Sequence, residues 1–178
     1  MLTGGSYNTR LSKLQFNHLQ QHYRTVYGFS SLTNPELLTM DQDVQVYMRC
    51  RVDKTIFHCA QNRKKNSSRL NHLACLQQTV DRNARFSYSA RDEEMEFREF
   101  YMYIDFYCVH SFRGSPHMLV YGEYRNFQVH DELVEDQGYY VHGFADITVL
   151  QHLCVKVTAC EWKVYFVDTQ EVKEECLH

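Results

Sequence analysis

Between Phe97 and Tyr107 six of eleven residues are aromatic. Phe100, Met102, Ile104, Phe106 and Cys108 are apolar, while Glu99, Tyr101, Tyr103, Asp105 and Tyr107 form a row of tyrosines and carboxylates. This period-two alternation predicts a β-strand with one buried face and one tyrosine-bearing face. Val44, Val46, Met48, Cys50 and Val52 alternate with Gln45, Tyr47, Arg49 and Arg51 in the same way. A short Asp53-Lys54 turn and the stretch 55–60 complete a hairpin. Residues 11–27 follow another period. Leu11, Leu14, His18, Leu19, His22, Tyr23 and Val26 recur three and four apart, which predicts a helix that stops at Gly28.

The remaining pattern predicts a strand over 70–76, a polar connection over 77–83 and an acidic turn at Arg91-Asp92-Glu93-Glu94. Gly114-Ser115-Pro116 breaks the chain before a strand over 118–129, where Gly122 marks a bulge. A solvated loop over 131–138 precedes strands at 139–145, 153–158 and 162–167, the last two forming a hairpin that turns at Cys160-Glu161. Residues 146–152 hold one helical turn. The expected organisation is an N-terminal helical segment 1–28, a linker 29–42 containing Asn34-Pro35, a β domain 43–168 and a tail 169–178. The fold class is mainly β: a small twisted barrel or two-layer β fold of about eight short strands with one N-terminal helix.

At 178 residues, 44% of them apolar, the chain can bury a sizeable core. A net charge of −3 exerts no global pull on nucleic acid, so such contact needs a local patch. The seven cysteines are scattered, with no C-x-x-C. No secretory-signal pattern or membrane-length apolar run is present, so the reading is an intracellular, reduced protein without a membrane partner. Its cysteines then pack as small hydrophobes.

Several motifs resemble the β-rich C-terminal region of transposases of the CACTA (En/Spm-like) type and related transposon-derived proteins. One is the helix end Tyr23-Arg24-Thr25-Val26-Tyr27-Gly28. Another is Phe57-His58 followed by Arg63, Lys64, Lys65, Asn66 and Arg69. A third is Ile104-Asp105-Phe106-Tyr107 followed by Met118-Leu119-Val120-Tyr121, although the usual glutamine stands here as Asp105. The fourth comprises Tyr140-Val141-His142-Gly143-Phe144, Ile147, Cys154-Val155-Lys156-Val157 and Lys163-Val164-Tyr165-Phe166-Val167. The acidic catalytic core of such transposases would lie upstream. The resemblance therefore implies a fragment or domesticated relic with an accessory, non-catalytic role, for which a nuclear location is one option within the intracellular reading.

Candidate chemistry is sparse. Arg63, Lys64, Lys65 and Arg69 surround Asn66, Ser67 and Ser68 with no acid among them, a pattern suited to phosphate contact and equally to a solvated loop tip. Tyr101, Tyr103 and Tyr107 offer flat area for bases or a protein partner, unless a second layer covers them. His18 and His22 share a helix face but lack the acid of the metalloprotease pattern. Cys50, His58 and Cys59 lie on one hairpin without metal-ligand spacing. No catalytic residue, metal or cofactor is assigned. The expected function is binding, to nucleic acid through the basic loop or, as the alternative, to protein. A Cys/His metal-dependent enzyme is the third reading.

Overall fold

The computed structural model describes residues 1–62, 72–81, 94–130, 133–158 and 164–168. The protein is mainly β. Its strands are β1 (Leu2–Arg10), β2 (Asp43–Val52), β3 (Thr55–His58), β4 (Leu73–Asp81), β5 (Met95–Phe112), β6 (Ser115–His130), β7 (Leu133–Asp146), β8 (Leu150–Thr158) and β9 (Val164–Asp168). Two α-helices, α1 (Lys13–Val26) and α2 (Pro35–Leu38), separate β1 from β2. All nine strands join one antiparallel sheet in the order β1-β2-β5-β4-β8-β9-β7-β6, with β3 on β2. A further pairing of β6 with β5 makes the path curl back on itself.

Three strands are long rather than short: β5, β6 and β7 run 18, 16 and 14 residues. Gln77 to Asp81, read as a connection, continue β4 by pairing with β5. Leu2–Arg10 was not among the expected elements. Its polar sequence gives no apolar period, and its place is fixed by pairing with β2. The expected turn at 146–152 is a short 3₁₀ segment, Ile147–Val149, capped by the Asp146 carboxylate on the Thr148 amide at 2.9 Å.

Helix α1 starts where the sequence supplies a capping box. Ser12 Oγ accepts from the Gln15 amide, and Gln15 Oε1 accepts from the Ser12 amide. It stops at Gly28, whose φ of +65° suits a residue without a side chain. Phe16, Leu19 and Tyr23 share a buried face against Val44, Val46, Phe106, Cys108, Phe112, Leu119, Tyr121 and Phe144. Each large apolar side chain buried this way contributes roughly 1.5–3 kcal/mol.

A second core lies on the other face of the β5 centre. It gathers Cys50, Phe57, Ala74, Leu76, Met102, Ile104, Tyr107, Val120, Ala145 and Leu150. The centre of β5 is therefore buried on both sides, which corrects the one-faced reading of this strand. The register against β6 slips between Ile104 and Phe106, leaving Asp105 as the extra residue of a bulge. Met102 and Ile104 enter the second core, whereas Phe106 and Cys108 enter the first. Gly122 is the residue opposite. A Cβ there would stand 2.1 Å from the Tyr103 carbonyl oxygen, so no side chain fits.

The tyrosine face expected on β5 is consequently not an open surface. Tyr107 is fully buried in the second core, and its hydroxyl donates to the His58 carbonyl oxygen at 3.4 Å. Tyr101 is buried in a third cluster with Leu73, Cys75 and Cys154, its ring edge-on to Phe127. Tyr103 is half-buried beneath the Arg125 guanidinium, 5.5 Å from its ring centroid. Two-sided packing buries Tyr101 and Tyr107 and leaves Tyr103 half-covered.

Candidate binding cleft between the helix and two sheet edges

The C-terminal part of α1 is clamped to the β5–β6 hairpin. Tyr23 stacks on Phe112 at 4.3 Å, and its hydroxyl donates to His110 Nδ1 at 2.9 Å. His110, 1% exposed, in turn donates from Nε2 to the Asp41 carbonyl oxygen at 3.0 Å. Burial lowers the His110 pKa, which keeps the imidazole neutral and suits this donor–acceptor arrangement. The hairpin tip, Arg113-Gly114, has positive φ at both positions, as a two-residue antiparallel turn favours. Arg113 lies over the rings of Tyr27 and Phe29 and forms a bidentate pair with Glu36. The Tyr23/Tyr27/Gly28 signature thus has a structural role.

The exposed side of the same helix borders a cleft of about 570 Å³. Its helical wall is His18, Gln21, His22, Thr25 and Val26, and its strand walls are Gln77, Gln78 and Thr79 of β4 and residues 142–146 of β7. Phe97, 77% exposed, stands at the rim. Among the described residues Asp146 is the sole Asp, Glu, Lys or Arg in this lining. Tyr124 forms part of the wall, with its hydroxyl accepting from Gln78 Nε2 at 3.2 Å. Its ring lies against Gly143, where a Cβ would stand 3.2 Å from Tyr124 Cε2.

A second cavity of about 620 Å³ shares Tyr124 and is lined by Arg98, Phe100, Arg125, Asn126, Phe127 and Val141. Both arginines are neutralised there. Arg98 pairs with Glu96, and Arg125 pairs with Glu123 at 2.6 Å and with buried Asp136 at 2.7 Å.

The electrostatics of the cleft follow from burial. Desolvation brings the His22 pKa down to about 4, opposed by a hydrogen bond to the Phe144 backbone and the charge of Asp146. Desolvation also lowers His18, with the neighbouring His142 acting in the same direction. His18 and His22 are therefore uncharged near neutral pH. His18 Nδ1 hydrogen-bonds the Tyr121 hydroxyl at 3.1 Å, and Tyr121 is pushed up to about 12 by burial and then by Asp105. Asp105, set outward by the bulge, lies 3.6 Å from His142 Nε2. Burial raises its pKa, His142 opposes that rise, and Glu123 adds to it.

The predicted nucleic-acid contacts Arg63, Lys64, Lys65 and Arg69 lie outside the described residues. Cys50 and Cys59 are buried, and among the described residues no group of three His, Cys, Asp or Glu is placed to hold a metal ion. The five described cysteines are all buried, as small hydrophobes pack. No helix among the described residues is long and apolar enough to cross a membrane.

Sequence reading found His18 and His22 on one helix face but missed Gln78, Phe97, Tyr124 and His142 as their neighbours. The cleft joins positions as far apart in the chain as 18, 78 and 142. The one local signal was Gly143, in a strand where a missing side chain marks close approach by another group.

No family model, no curated protein and no solved structure matches this chain, so the likeness to transposase regions rests on the residues quoted for it.

Proposed function

We propose that this protein is a non-catalytic interaction domain that takes a polypeptide ligand in the cleft between α1, β4 and β7. The observation that carries this reading is the chemistry of the lining. Side-chain amides, imidazoles and hydroxyls surround a space with one formal charge among its described lining residues and an exposed phenylalanine at its rim. Neutral hydrogen-bonding groups beside an apolar anchor suit a peptide better than a polyanion, which needs cations to replace its counterions. An accessory role beside a larger machinery, as the transposase likeness implies, is compatible with such a domain.

The test is selection of a displayed random peptide library on the immobilised full chain, with counter-selection on Phe97→Glu. That side chain lies largely in solvent, so the substitution leaves folding intact. Clones that bind the natural chain and lose at least tenfold on the variant support the reading. Equal enrichment on both proteins, or none on either, overturns it. A short oligonucleotide retarded at low salt and released by added salt, without any peptide clone, would move the function to nucleic acid.

A further inference from the structure

We infer that the ligand of the cleft is an extended peptide that adds a strand to the outer edge of β7. The inference rests on the cleft reading above and names its occupant. It comes from the places where the sheet stops pairing. Among the described residues β7 pairs with β6 from Leu133 to Asp146, but with β9 only at Val134 and Glu135. Among them too, β4 pairs with β5 from Leu73 to Asp81, but with β8 only from Ala74 to Leu76. β8 thus meets β4, and β9 meets β7, over short stretches, and Gln77 to Thr79 and residues 142–146 line the same cleft.

Among the described residues no strand pairs with the outer edge of β7 over 141–146. A sheet edge carries backbone N–H and C=O groups that a further strand can satisfy, and main-chain pairing gives affinity largely independent of peptide sequence. Helix α1 occupies part of this edge through the His22 hydrogen bond to the Phe144 backbone. The stretch from Val141 to Gly143 is left for the ligand.

Charge selects the ligand further. Asp146 lies in the lining and Asp105 stands beside His142, while no Lys or Arg lines this cleft among the described residues. A neutral or basic strand fits and an acidic one is repelled.

The probe is a capped hexapeptide alternating valine and lysine, titrated into the full chain with amide exchange read by NMR. Two further forms carry N-methyl groups on one or the other alternate set of amides, and a fourth has glutamate for lysine. Saturable binding should slow exchange at His142, whose backbone shares the outward parity of Phe144, and leave Gly143, which faces β6, unchanged. One N-methylated form should lose at least tenfold in affinity while the other keeps it, and the glutamate form should bind least. If both N-methylated forms bind like the parent, strand addition is wrong and the cleft reading stands. If the hexapeptide fails while library-selected clones still require Phe97, the inference alone fails. If neither binds, both fail.

Discussion

The two long sides of α1 differ in kind. One side presents Phe16, Leu19 and Tyr23 to a core and ends in the Tyr23–His110–Asp41 hydrogen bonds. The other presents His18, Gln21, His22 and Thr25 to a cleft. The first side has its hydrogen-bonding groups matched and its apolar area covered, so it sets where the helix sits. The second holds neutral polar groups at a partly open surface, which makes it the side with capacity left for a ligand. A single amphipathic element therefore both anchors the fold and shapes its candidate working surface.

The largest way to break this comparison is Leu19→Ala. Leu19 is fully buried, and the loss should be about 2–5 kcal/mol in urea unfolding. A loss below about 1 kcal/mol would mean that the helix is not held by its packed side.

Acid should act on both sides of the helix through His110 and His22. Both have folded pKa values below the ordinary 6.5, with His22 at about 4. Below pH 6.5 the unfolded chain takes up protons that the folded chain refuses, so these groups favour folding above that pH and lose this contribution as pH falls. For His22 the loss extends toward about pH 4. Each group can steepen the decline by up to about 1.4 kcal/mol per pH unit. Unfolding free energies from pH 7.5 to 4.5 should fall accordingly, and His22→Gln should flatten the curve. An unchanged slope in that variant would place its proton uptake elsewhere.

The smallest expected stability effect belongs to Gln21→Ala, on the cleft side. Its unfolding midpoint should correspond to a change within about 0.5 kcal/mol, while affinity for cleft-selected peptides falls. A large stability loss with unchanged affinity would reverse the assignment of the two sides.

Much of the frame was legible because it is local. Helix α1, the β2–β3 hairpin and the β8–β9 pairing follow from period and turn chemistry within short windows. β1 was not legible, because Thr3 to Thr9 carry no apolar alternation and depend on residues some forty positions away. The polar end of β4 misled for a related reason. Gln77, Gln78 and Thr79 form strand by pairing with β5 while the same three residues line the cleft. On β5, alternation placed Phe106 with Ile104 because a sequence pattern does not count a bulge.

The bulge at Asp105 also governs how this chain can change. It acts as a phase shift within one strand. Every residue from Phe106 to Phe112 faces the side it does because one unpaired residue precedes it. Deleting Asp105 would make Ile104 and Phe106 direct neighbours opposite Gly122 and Tyr121, so Phe106 would still face the helix and Tyr107 the second core. A one-residue deletion here thus removes the bulge and keeps both cores, whereas pairing Asp105 in regular register would exchange them, and a substitution at the same position alters only a carboxylate beside His142. Alignments of any future relative across 104–106 should be judged by whether they preserve that extra residue together with the glycine opposite.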